Sequence, residues 1–178
     1  MMARGLQIFA AERSAEDLAT FLGFAVGEQI NTVPDKGHWT ARIKGSGLYM
    51  LWVESVAYSL ALNHHLRGAP ADLIHMLAKE RTSFCTVAKG QVEAEGWEFT
   101  TGTTPALPEY RFGDVPRVRG EEGLSSFAFG TRLFAQETGF SYASDPVRQV
   151  DDIRSAHPTE ALHVLAAQHR TPSLEDHS

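Results

Sequence analysis

The middle of the chain alternates between apolar and polar residues in the manner of β-strands. Between residues 38 and 44 every second side chain is apolar, which is the period of a strand with one buried face. Residues 48–53 (LYMLWV) are apolar on both faces, so they predict a central strand that returns from the first across a Gly-Ser-Gly turn. Residues 5–10, 83–88 and 91–100 predict further strands. We therefore expect an antiparallel sheet of about four to six strands.

Apolar residues at helical spacing occur on both sides of this region. Ser14 is suited to cap a helix that ends at Gly23, because a serine oxygen accepts a backbone N–H and glycine tolerates the conformation that follows a helix. The same spacing predicts further helices over residues 56–66, 72–78, 121–138, 146–154 and 158–168. The segment 56–66 is also compatible with a strand, and residues 24–33 favour neither state. The expected fold class is a single α+β domain, with the sheet packed against helices from the N- and C-terminal parts.

Two segments of this single domain, residues 1–178, are expected to be irregular. Residues 101–119 contain Pro105, Pro108 and Pro116 and predict a long surface loop, a kind of segment that often carries function. Residues 170–178 are polar and predict a frayed tail. A second domain after this loop is not expected, since its roughly 60 residues would struggle to bury a core alone.

The charge of the chain is unevenly distributed and disfavours nucleic-acid binding. The net charge is −6, and residues 1–90 carry nine Lys or Arg against eight Asp or Glu. Residues 91–178 carry seven Arg, no Lys and fourteen Asp or Glu. A nucleic-acid-binding protein needs a basic face that neutralises phosphates, and these basic residues are isolated. An acidic half keeps a protein in solution, and it also complements a basic protein partner.

The composition predicts a globular protein, and the single cysteine, which cannot form an intramolecular disulfide, predicts the reducing cytoplasm. The chain is 43% hydrophobic with ten Phe and three Trp, which is sufficient to bury a core. No apolar run approaches the ~18 residues of a membrane span, and residues 1–9 lack the apolar stretch of a signal peptide. The single cysteine, Cys85, lies in an apolar strand pattern, which predicts a core residue rather than a nucleophile.

The histidines offer a metal site that we do not favour. His64 and His65 are neighbours, about 100° apart on a helix, so they cannot form the i, i+4 pair of zinc-binding helices. Asp72 and His75 share a face of the next predicted helix, and they would complete a site if the two helices formed a hairpin. Exposed or capping histidines are the simpler explanation, and we expect neither a metal nor a cofactor.

Two classes of function fit these residues. The first is a protein that acts by binding another protein, as an inhibitor, an immunity-type protein or an adaptor. It is favoured because no catalytic motif is present and the 101–119 loop mixes the aromatic and charged residues typical of interfaces. The expected partner-binding residues are Glu109, Tyr110, Arg111, Phe112 and Asp114.

The alternative is a small-molecule enzyme or ligand-binding protein with a pocket between the sheet and a helix. The side chains available for acid–base chemistry in such a pocket are His38, Glu54, His64, His65 and Asp72. The sequence alone decides neither enzymatic activity nor oligomeric state.

Overall fold

The structure, a computed structural model, describes residues 5–34, 36–54, 69–79, 85–90, 95–101, 109–119, 126–140 and 159–167. Within these ranges the elements are β1 (Gly5–Ala11), α1 (Ala15–Leu22), β2 (Phe24–Gln29), β3 (His38–Ile43), β4 (Tyr49–Glu54), β5 (Ile74–Lys79), β6 (Cys85–Lys89), β7 (Trp97–Thr100), β8 (Tyr110–Phe112), α2 (Ser126–Thr138) and β9 (Thr159–Ala167).

The strands form one antiparallel sheet, and the two helices pack on it in a single domain. The strand order is β2-β9-β3-β4-β1-β5-β6-β7-β8, so β2 and β8 lie at the edges. The predicted antiparallel α+β architecture is confirmed. The predicted number of strands, four to six, is wrong, because the described residues alone contribute nine to this sheet.

One face of the sheet and α2 enclose most of the core. A row of directly opposed residues crosses six strands on this face: Trp39, Trp52, Ile8, Met76, Val87 and Phe99. All six are at most 6% exposed. The rings of Trp39 and Trp52 stack with centroids 5.4 Å apart, and α2 adds Phe129, Leu133 and Phe134 to the cluster. The alternation of apolar and polar residues in the sequence therefore places every second side chain of these strands in one apolar layer.

Helix α1 covers the opposite face. Its start and end agree with the sequence prediction: the Ser14 hydroxyl accepts the backbone N–H of Asp17 at 3.1 Å, and Gly23 follows with φ +84°. Leu18 and Leu22 are at most 2% exposed and lie in one cluster with side chains of β1 and β4. Helix α2 matches the C-terminal two thirds of the helix predicted over residues 121–138.

Two segments predicted as helices are strands. Residues 72–78 fall largely within β5, which pairs with β1 on one side and β6 on the other. Of the predicted helix over residues 158–168, Thr159–Ala167 form β9, which lies between β2 and β3. Both segments have apolar residues at helical spacing, but pairing with two neighbours satisfies the backbone on both sides and overrides that local preference. A register shift and the positive φ of Ala161, 55°, mark an irregularity in β9.

The loop predicted over residues 101–119 is not irregular throughout, because Tyr110–Phe112 form β8 against β7. Residues 24–29, which the sequence left undecided, form the edge strand β2. The predicted segments at 56–66, 146–154 and 170–178 lie outside the described residues. Neither described helix is long and apolar enough to cross a membrane.

Candidate functional site

The residues predicted to contact a partner lie on and beside the edge strand β8. Tyr110 and Phe112 are 51% and 42% exposed, and they are the large hydrophobic side chains that the described surface leaves most open to solvent. They are two positions apart, so both rings stand on the same face of the sheet. Glu109 and Asp114 flank the strand and are exposed. We call Tyr110, Phe112 and their neighbour Glu98 the β8 surface.

The side chain of Arg111 points to the other face. Its guanidinium carbon lies 4.6 Å from the ring centroid of Phe129 and 5.2 Å from that of Phe99, both in the main core. Its Nε donates to Glu109 Oε1 at 3.0 Å. The cation–π contacts and this ion pair hold the arginine on the α2 side of the sheet. Its positive charge therefore does not face a molecule that lies over Tyr110 and Phe112.

Glu98 is the charged member of the β8 surface. It lies directly opposite Phe112 in the β7–β8 register, and Thr100 lies opposite Tyr110. Thr100 donates its hydroxyl to Glu98 Oε2 at 2.9 Å, and its Oγ1 is also 2.9 Å from that of Thr86. These contacts position a half-buried carboxylate beside two exposed aromatic rings.

The backbone N–H and C=O groups of Arg111 point outward from the edge of the sheet. Thr101, which follows β7, donates its N–H to the Cys85 carbonyl of β6 at 2.9 Å. Because successive residues of an antiparallel strand direct their backbone groups to opposite sides, the even-numbered residues of β7 bond to β8. Their register partners are Tyr110 and Phe112. The N–H and C=O of Arg111, between them, face outward, where the described chain provides no further strand.

The chain after β8 runs along α2, on the face opposite Tyr110 and Phe112. The amide of Gln136 in α2 donates to the Arg117 carbonyl at 2.8 Å and accepts the N–H of Arg119 at 3.3 Å. Val118, between these two arginines, is 3% exposed and belongs to the core beside α2. The second half of the predicted loop is thus tied to α2 and leaves the β8 surface uncovered.

Two of the residues proposed for catalysis, His38 and Glu54, do lie side by side. Glu54 donates its backbone N–H to His38 Nδ1 at 3.1 Å, and its carboxylate accepts the indole N–H of Trp52 at 3.1 Å. Burial lowers the pKa of His38, and the Glu54 carboxylate partly offsets this. An edge-to-face contact with Phe24, centroids 5.4 Å apart, further fixes the ring. These contacts join β3 to β4 and occupy Nδ1 as an acceptor.

Asp72 lies far from that pair and does not start a helix. Its carboxylate accepts the backbone N–H of Glu12 at 2.8 Å and lies 3.8 Å from Arg13 Nε, whereas Glu54 is opposite Leu6 at the other end of β1. Six extended residues separate these ends, about 20 Å. Asp72 therefore does not share a site with His38 and Glu54, and a catalytic role for any of these residues stays a prediction. The remaining members of the set, His64 and His65, lie outside the described residues.

His75 is buried in a strand, not displayed on a helix beside Asp72. Its ring stacks on Phe9 with centroids 4.5 Å apart, and Nε2 lies 2.6 Å from Oε1 of Gln7. Burial lowers its pKa to about 3. Gln7 is fully buried, and its Nε2 has no hydrogen-bond partner among the residues that the structure describes. Sequence reasoning missed this pair, although one polar residue within each of two apolar strands was a visible signal.

Cys85 is buried as predicted, and it lies against Gly130 of α2. A Cβ added to Gly130 of α2 would lie 2.8 Å from its Sγ. Burial raises the pKa of the thiol to about 12, so it stays protonated and unreactive at neutral pH. Among the described residues, no three His, Cys, Asp or Glu side chains are grouped to hold a metal ion. Comparison with protein-family models, curated proteins and solved structures found no match to this chain.

Proposed function

We propose that this protein acts by binding another protein through the β8 surface, in an inhibitor, immunity-type or adaptor role. The observation that carries the proposal is the pair of exposed rings, Tyr110 and Phe112, on a strand at the edge of the sheet. Exposed aromatic side chains are costly on a free surface and are enriched where proteins associate. The outward N–H and C=O of Arg111 add a hydrogen-bonding edge to which an extended segment can pair.

The partner proposed is an extended segment that carries lysine or arginine. Glu98 is the charged side chain in the rows that run across the sheet to Tyr110 and Phe112, and it lies next to both rings. A cation that reaches across Phe112 toward this carboxylate gains a cation–π contact and an ion pair together. The net charge of −6 favours the encounter with such a segment.

The catalytic alternative has less support in this arrangement. Its residues in the described part of the chain fall at opposite ends of β1, and each makes contacts that join neighbouring parts of the backbone. A protein-binding role requires only the exposed side chains of β7 and β8 and the outward backbone groups of Arg111.

A selection experiment tests the proposal. A displayed library of random extended peptides is selected on the full chain and counter-selected on Y110S/F112S, which keeps the backbone but removes both rings. Peptides that need the rings, and that carry Lys or Arg at alternate positions, are expected. Peptides that bind both proteins equally, or no enrichment at all, would refute the proposal.

A matched pair of variants separates backbone pairing from side-chain contact. Arg111→Pro and Arg111→Val both remove the guanidinium, but proline alone removes the outward N–H. We expect Arg111→Val to bind the selected peptides and Arg111→Pro to lose them. Equal binding by the two variants would exclude pairing at this edge.

A further inference from the structure

We infer a second binding site, for a small zwitterion of the α-amino-acid type, at the opposite end of β6 and β7 from Cys85. A cleft there has a volume of about 360 Å³, within the range of small-molecule sites. The residues that line it include Lys89, Glu95 and Trp97. This site is independent of the proposed protein-binding role.

The walls of the cleft are fixed by the fold. One wall is the turn before β5, where Leu73 donates its N–H to Pro70 and accepts that of Gly90 at 2.8 Å. Asp72 ties the same turn to Glu12 from outside. This wall of the cleft is therefore preorganised, which lowers the ordering cost of binding.

Glycines allow the backbone segments around the cleft to approach each other closely. Gly90 has φ +61°, and a Cβ there would lie 2.9 Å from the carbonyl oxygen of Ala71. The opposite side is backed by Gly113, where a Cβ would lie 2.5 Å from the Gly96 carbonyl oxygen. Larger residues at these two positions would clash with the neighbouring backbone and displace the walls of the cleft.

The charges in the cleft specify the ligand. Neither Lys89 nor Glu95 forms an ion pair or a side-chain hydrogen bond within the part of the chain that the structure describes. Two opposite charges in one concave site, unpaired with each other, match a ligand that carries both a carboxylate and an ammonium. Trp97, 6% exposed, and the alanines of the turn provide an apolar wall for its side chain. An apolar amino acid such as leucine has these three parts.

Calorimetric titration of the full chain with L-leucine tests the site. L-Leucinamide lacks the carboxylate and 4-methylpentanoate lacks the ammonium, and we expect each to bind at least about tenfold more weakly than leucine, since each loses one charge-assisted hydrogen bond. No saturable binding of leucine up to about 10 mM, or equal binding of the three compounds, would overturn the inference.

Two variants with matched controls assign the binding to this cleft. Lys89→Met and Glu95→Gln each remove one charge with little change in size, and each should weaken leucine binding at least about tenfold. The controls, Lys44→Met and Glu28→Gln, remove the same charges from exposed positions away from the cleft and should bind as the unmodified chain does. Leucine binding unchanged in Lys89→Met and Glu95→Gln would exclude the cleft. Far-ultraviolet circular dichroism establishes that each variant is folded.

Discussion

Acid is expected to destabilise this protein through His75, whose ring stays neutral inside the folded chain. Burial lowers the pKa of His75 from 6.5 to about 3. Between these pH values the unfolded chain binds a proton at this residue and the folded chain does not, so acid favours the unfolded state. The stabilisation is complete above pH 6.5 and is lost as the pH falls toward 3.

The size of the effect follows from the separation of the two pKa values. Each pH unit below 6.5 removes about 1.4 kcal/mol from the free energy of unfolding, or about 2 kcal/mol between pH 7.5 and pH 5.0. This is a large share of the 5–15 kcal/mol typical of a folded domain, about 10 kcal/mol in the middle of that range. The Phe9 ring stacked on His75 leaves little room for water to solvate an imidazolium.

Urea unfolding of the unmodified chain and of His75→Gln, each at pH 7.5 and pH 5.0, measures this effect. The variant loses the ring stack and is less stable at pH 7.5, but it has no group to titrate at this position. The stability difference between the two proteins should therefore shrink by about 2 kcal/mol at pH 5.0. Leu133→Ala, in the core cluster on the opposite face of the sheet, keeps the histidine and its neighbours and is the control for damage to packing alone, so its difference from the unmodified chain should be similar at both pH values. A difference for His75→Gln that is the same at both pH values would refute the assignment of a neutral buried ring.

Two further predictions concern close contacts in the core. Gly130→Ala should destabilise the protein by about 1–3 kcal/mol in denaturant unfolding, despite the better helix propensity of alanine, because the new Cβ meets Cys85 Sγ at 2.8 Å. Adding Cys85→Ala should recover part of that loss, and independent effects of the two substitutions would contradict the contact. Gln7→Leu should cost about 1–3 kcal/mol because it leaves the His75 N–H unpaired, and Q7L/H75L should cost less than the sum of the single changes. A strictly additive double mutant would argue against the buried pair.

Local signals in the sequence were sufficient to predict the elements whose ends and buried faces are determined by neighbouring residues. Ser14 caps α1 and Gly23 ends it, and the two-residue period of β3 placed Trp39 inside the core. These features depend on neighbours within a few positions, which a single sequence displays. The edge residues of β8 were selected on the same basis, from an aromatic and charged composition in a proline-rich segment.

The elements that sequence reasoning assigned wrongly depend on partners distant along the chain. β9 is a strand because β2 and β3 lie on either side of it, more than 100 residues earlier, as the pairing of Trp39 with Val164 shows. β5 likewise lies between β1 and β6, which also moves His75 from a helix surface to the buried face. Because β5 is a strand paired with β1, His75 lies opposite Phe9 and does not share a helix face with Asp72. A single misassigned element therefore accounts for both the wrong helix and the wrong position expected for His75.

The same strand alternation places a buried centre and an exposed edge on one face of the sheet. The row that starts at Phe9 and His75 in the buried centre continues through Ala88 to Glu98 and Phe112 at the edge. In the centre, burial keeps the His75 ring neutral, and its Nε2 lies within hydrogen-bond distance of Gln7 in a neighbouring row. At the edge, a charged carboxylate stands beside an exposed ring, where it can contact another molecule without the desolvation cost of the interior. Helix α1 packs on β2, β3 and β4, so Tyr110 and Phe112 at the other edge of the sheet stay exposed.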